Sequence, residues 1–126
     1  MGKINNVITI PTSTKGNFFK YWFEFLRPFH KLTDREIDVI ASFTKHRYNL
    51  SKVIQDQEIL DKVTMGEDTK RKIREECNIT QAHFQVIMTK LKKSKVIENG
   101  KINPRFIPRL DGDGKNFQLL LSFNLQ

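Results

Sequence analysis

The stretch from residue 79 to residue 103 leaves this chain the least structural freedom. Thr80 is an N-cap residue with Ile79 and Phe84 placed as a hydrophobic staple, so a helix starts directly after it. Along that helix Phe84, Ile87, Met88 and Leu91 recur at i, i+3, i+4 and i+7, the spacing of a single buried face. Lys95-Val96-Ile97-Glu98 then reads as a strand and Lys101-Ile102-Asn103 as its return. Between them Asn99-Gly100 is a two-residue turn whose central positions both need φ > 0. Just upstream, Asp68 or Thr69 caps a helix running to Cys77, with Ile73 and Cys77 inward, and Asn78-Ile79-Thr80 makes a short turn. Two short helices, a tight turn and an immediate hairpin predict a mainly helical α+β fold.

A second helix start is equally well specified. Thr33-Asp34-Arg35-Glu36 is a capping box, with Leu32 and Ile37 as its staple. Ile37, Ile40, Ala41 and Thr44 continue the inner face, Val39 and Phe43 widen it, and the helix is expected to stop between His46 and Asn49. Residues 50–65 read as one broken or two short helices ending at Gly66. Residues 17–29 hold seven of the thirteen aromatic side chains. As a helix capped by Asn17, Phe18, Phe19, Trp22, Phe23 and Leu26 share a stripe that leaves out Tyr21, Phe25 and Phe29. As a strand, Phe19, Tyr21, Phe23 and Phe25 share a face, so periodicity permits both. Pro28 is expected to end that element. In either case the surplus makes Phe18, Tyr21, Trp22, Phe25 and Phe29 candidates for contact with a partner or a second copy.

Charge is as unevenly distributed as aromaticity. The chain carries a net +8, and residues 69–109, with eleven Lys and Arg against Glu75, Glu76 and Glu98, hold the whole excess. Such a localised field attracts polyanions. Nothing comparable points to catalysis. Cys77 has no His or Asn partner evident in sequence, His83 reads as a surface or packing residue, and the histidines are too scattered for a structural metal site. Asp111 to Asn116 lacks the glycine and closing glutamate of a calcium loop and reads as a turn. No cofactor, small-molecule substrate, membrane span or secretion signal is expected, and one cysteine fits a reducing compartment. The 126 residues are expected to form an arm or edge strand over 1–16, carrying Val7-Ile8-Thr9-Ile10, and a single domain over 17–126. In the tail, a C-terminal hairpin or strand over 108–126, Phe117, Leu119, Leu121, Phe123 and Leu125 alternate as a half-buried strand expected to pair either with residues 105–110 across the Asp-Gly turn or with the 7–10 patch.

The run IREECNITQAHFQVIMTKLKKSKVIENGKI, residues 73–102, resembles the winged helix-turn-helix superfamily, and the resemblance spans residues 33–107. It implies a positioning helix, a recognition helix and a β-hairpin wing, to which the tail adds a C-terminal strand. In DNA-binding members the recognition helix enters the major groove. Carried onto this chain, Gln81, Ala82, Gln85 and Thr89 would face the bases. Gln81 and Gln85 suit adenine N6/N7, and Ala82 suits a thymine methyl. Arg71, Arg74, Lys90, Lys92, Lys93, Lys95 and Lys101 would hold phosphates. Val86 reads as exposed on the same face. Winged helices also serve as protein-interaction modules, so the fold alone leaves both roles open. The LTDREI helix start, the Lys-rich winged helix, the INPRFIP segment and the alternating tail together resemble small proteins of tailed phages infecting gut Bacteroidetes, the crAss-like phages. That resemblance implies a non-enzymatic DNA-binding protein in the bacterial host cytoplasm. Its alternative is a virion structural or assembly protein, an auxiliary capsid, head or neck component, with phage proteins or its own copies as partners.

Overall fold

The computed structural model describes residues 17–110, 117, 124 and 125. Among them the chain forms six α-helices and one antiparallel hairpin, a mainly helical α+β fold. The helices are α1 (Phe18–Phe25), α2 (Arg27–His30), α3 (Asp34–Ser51), α4 (Gln57–Thr64), α5 (Glu67–Cys77) and α6 (Gln81–Lys93). The hairpin strands are β1 (Ile97–Glu98) and β2 (Lys101–Ile102), followed by a 3-10 turn at Pro104–Phe106. The expected 1–16 arm, the 111–116 turn and most of the alternating tail lie outside the described residues.

Helix α3 is the centre against which α1, α4, α5 and α6 all pack. Its start is the expected capping box: Glu36 N–H donates to Thr33 Oγ1 (3.4 Å) and Thr33 N–H to Glu36 Oε1 (3.0 Å). Leu32 and Ile37 are buried beside it, and Ile40, Ala41, Phe43 and Thr44 continue the inner face. The helix extends past the expected stop near 46–49 and ends at Ser51. Tyr48 supplies the reason. Its ring lies 5.7 Å from that of Phe19, and the Lys52 ammonium lies 4.9 Å over it, so packing carries the last turn.

Residues 17–29 are helical, which overturns the strand alternative. Phe18, Phe19 and Phe23 are buried, and Trp22 donates from Nε1 to Phe106 O at 2.8 Å. A strand would have put Phe19 and Phe23 on one face with Tyr21 and Phe25, yet the latter two are exposed. Asn17 holds the N-cap position without a side-chain cap bond. Pro28 does not end the element; α1 stops at Phe25, and Pro28 sits in the first turn of α2, where a missing N–H needs no partner. Lys31, at φ 57°, ends α2. His30 is buried in the corner so formed, with Nε2 2.7 Å from Phe23 O and Nδ1 accepting from Leu32 N–H at 2.9 Å. The neutral Nε2–H tautomer is the form that satisfies both contacts.

Residues 50–65 contain one complete short helix, α4, capped by Asp56, whose Oδ1 accepts from Ile59 N–H at 3.1 Å. The expected cap of α5 at Asp68 or Thr69 is corrected. Gly66 is the N-cap and the helix begins at Glu67. Thr69 is buried, and its hydroxyl donates to Val63 O on α4 (3.0 Å), which makes it a tie between helices. Gly66 therefore starts α5, while Met65 is the residue that closes α4. The strands are shorter than expected: Lys95 takes φ 66°, the register pairs Ile97 with Ile102 and Glu98 with Lys101, and Asn103 N–H adds a bond to Val96 O at 2.8 Å. Asn99 and Gly100, at φ 58° and 73°, form the expected turn. Val96, Ile97 and Ile102 are buried, β1 packing on α6 and β2 on α4.

Candidate nucleic-acid interface

The candidate surface is built on α6. Thr80 Oγ1 accepts from His83 N–H at 3.1 Å, fixing the start of the helix, and Phe84, Ile87, Met88 and Leu91 are buried. Phe84 stacks at a tilt on Phe43 of α3, ring centres 6.1 Å apart. Burying a side chain of that size contributes roughly 1.5–3 kcal/mol, enough to set which face of α6 looks outward. The predicted base-facing residues Gln81, Ala82, Gln85 and Thr89 are all exposed, as are Lys90, Lys92 and Lys93. Helical spacing sorts them further. Ala82, Val86, Thr89 and Lys93 form the crest opposite the buried stripe. Gln81, Gln85 and Lys92 lie on one flank, and His83 and Lys90 on the other. The Thr89 hydroxyl is engaged internally, donating to Gln85 O at 3.0 Å.

Helix α5 joins this surface through Arg74, whose guanidinium lies 5.4 Å over the Phe84 ring. Asn78 at φ 52° closes α5 and makes the tight turn into α6. Lys70 lies one turn before Arg74 on the same flank. The opposite flank faces α3, where Glu76 accepts from the Ser42 hydroxyl (2.6 Å) and lies 2.9 Å from His46 Nε2 and 3.5 Å from Lys45 Nζ. Burial pushes the Glu76 carboxyl up, but the Ser42 hydrogen bond and the charges of His46 and Lys45 outweigh it and leave the group below its ordinary value. Arg35 donates to Cys77 O at 2.6 Å, clamping the end of α5 to α3. Periodicity did not reveal this Glu76 cluster, since its partners are distant in sequence.

Predicted phosphate contacts Lys95 and Lys101 flank the hairpin, with Lys101 paired in register opposite Glu98. Of the eleven cations between residues 69 and 109, Arg71 alone forms an ion pair among the described residues, an exposed contact of 3.4 Å with Asp68. Outside that window Lys20, Arg27, Arg35, Lys45 and Arg47 are all paired with carboxylates. Among the described residues, ten of the eleven cations in the window thus form no ion pair, whereas outside it only Lys31, Lys52 and Lys62 form none.

The aromatic candidates divide. Phe18 is buried and Trp22 half-buried, each edge-on to Phe117 with ring centres 5.1 and 5.4 Å apart, so Phe18 is corrected from a contact residue to a packing residue while Trp22 keeps part of its ring at the surface. Tyr21, Phe25 and Phe29 stand outward at successive four-residue spacings, 44%, 47% and 71% exposed. An open cleft of about 380 Å³ between α1, α3 and α5 is lined by Lys20, Arg35, Asp38, Lys45, Glu76 and Cys77, whose cations are already matched by Asp38 and Glu76. Burial pushes the Cys77 thiol up, away from the reactive thiolate. Among the described residues no cluster of His, Cys, Asp and Glu has the makings of a metal site, and no helix is long and apolar enough to cross a membrane. No family model matches the chain, and no curated protein or solved structure matches it significantly.

Proposed function

We propose that this chain is a non-enzymatic winged-helix protein of phage origin that binds double-stranded DNA in the cytoplasm of the bacterial host. In this reading α5 is the positioning helix, α6 the recognition helix and β1–β2 the wing. The observation that carries it is the distribution of charge: among the described residues, Arg71 alone of the eleven cations in 69–109 forms an ion pair, whereas five of the eight Lys and Arg outside that window do. Phosphates are the natural counter-charge for such a surface. The test is fluorescence anisotropy with a mixed-sequence duplex across a salt series. If Arg71, Arg74, Lys90, Lys92, Lys93, Lys95 and Lys101 all meet phosphates, the log–log salt slope approaches about −6. Arg71→Ala and Lys93→Ala each reduce its magnitude by about 0.9. Unchanged binding in both variants refutes the surface assignment, and no binding at low salt refutes the function.

A second reading rests on a different observation, the exposure of Tyr21, Phe25 and Phe29. Three exposed large aromatics, Tyr21 and Phe25 on α1 and Phe29 on α2, suit a protein contact, which supports a virion structural or assembly role, with copies of this chain or other phage proteins as partners. Concentration-dependent self-association in sedimentation velocity, abolished by Phe25→Ser, is the expected result. A strictly monomeric chain that binds DNA refutes this role.

A further inference from the structure

Resting on the reading in which α6 enters the major groove, we infer that its crest reads the C5-methyl groups of thymines, so that the chain prefers A·T-containing duplex through apolar contact. The crest is Ala82, Val86, Thr89 and Lys93, spaced so that all four oppose the buried Phe84–Leu91 stripe. Val86 is 59% exposed there, a β-branched apolar group left open among the described residues. The Thr89 hydroxyl is engaged by Gln85 O, which leaves the methyl as its free group. Three successive crest positions therefore present methyl groups before the first charge, Lys93. Of the four bases thymine alone offers a methyl to the major groove.

The flank agrees with the crest. Gln81 and Gln85, one turn apart and both exposed, have the donor–acceptor amide that matches adenine N6 and N7. Guanine reading calls for Arg or Lys at the groove-facing start of the helix, and cytosine reading for a carboxylate. Helix α6 has no Arg, Asp or Glu, and its lysines stand in its last turn. Methyls on the crest and amides beside it thus select the two halves of one base pair.

The experiment compares three duplexes of equal length by anisotropy at fixed ionic strength. They are alternating A·T, the same sequence with deoxyuridine replacing every thymidine, and G·C. Deoxyuridine removes only the methyl, so each lost contact is expected to weaken binding about fourfold. Val86→Ala narrows the thymine–uracil difference and leaves the salt slope unchanged, since it removes no charge. Circular dichroism of the variant verifies its fold, and Val86→Thr, which keeps one methyl, retains part of the difference. Equal affinity for the thymine and uracil duplexes overturns this inference while leaving DNA binding intact. No binding to any of the three overturns both.

Discussion

The buried corner at His30 makes a prediction that can be worked through from its geometry. The ring is 5% exposed, and both its nitrogens are in use: Nε2 donates to Phe23 O and Nδ1 accepts from Leu32 N–H. Protonating Nδ1 would turn that acceptor into a donor facing another donor. Burial holds the His30 ring below its ordinary value of 6.5 and outweighs the opposing hydrogen bond to Phe23 O, with the nearby Arg27 charge a smaller contribution in the same direction as burial. A depressed folded-state value means that the unfolded chain binds the proton first. Stability is therefore full above about pH 6.5 and falls as pH drops below it, with a slope of at most about 1.4 kcal/mol per pH unit. His30→Ala leaves a buried carbonyl and a buried N–H unpartnered, at about 1–3 kcal/mol each, and removes a ring packed between Phe23 and Phe106. The expected total is about 3–5 kcal/mol, which lowers Tm by roughly 10–20 °C for a domain of this size. His30→Gln preserves a donor toward Phe23 O and His30→Asn an acceptor for Leu32 N–H, so both should lose less than the alanine variant. Urea unfolding between pH 8 and pH 5 measures all four proteins. A wild-type stability that stays flat through pH 6, or a slope that survives in His30→Gln, would show that the corner is not the titrating element.

The remaining predictions test the elements that hold the candidate surface. Thr80→Ala removes the acceptor for His83 N–H and should lower stability by about 1 kcal/mol in urea titrations. A loss under a few tenths would mean that the cap contributes little to the start of α6. Glu76 sits below its ordinary carboxyl value, so its contribution is complete above about pH 4.5 and lost as pH falls further. Glu76→Gln should flatten that acid limb of the pH–stability curve, and an identical limb in the variant would rule the cluster out.

Legibility in the sequence followed the range of each interaction. The caps at Thr33 and Thr80 and the Asn99-Gly100 turn lie within a few residues of the groups they satisfy, and each took the expected form. The exposed set on α6 followed from its clean apolar stripe. The start of α5 was misread because Thr69 looks like a cap, whereas its hydroxyl is taken by Val63 on the preceding helix. Phe18 was misread, and the packing of Trp22 missed, because surplus aromatic character does not reveal that Phe106 and Phe117, far along the chain, return to meet them. The His30 corner had no sequence signal at all, since a single histidine two residues after a proline announces neither its tautomer nor its partners.

By itself the sequence determined where the two best-defined helices begin, which face of α6 is buried, where the hairpin turns and where the net charge concentrates. These depend on hydrogen bonds and periodicities a few residues long, or on composition alone. Only the tertiary structure decided that residues 17–29 are helical, that Tyr21, Phe25 and Phe29 stay outside while their neighbours pack, and that Glu76 is neutralised across α3. Each of those outcomes was set by groups distant in sequence competing for the same face of α3, and a local pattern carries no record of that competition.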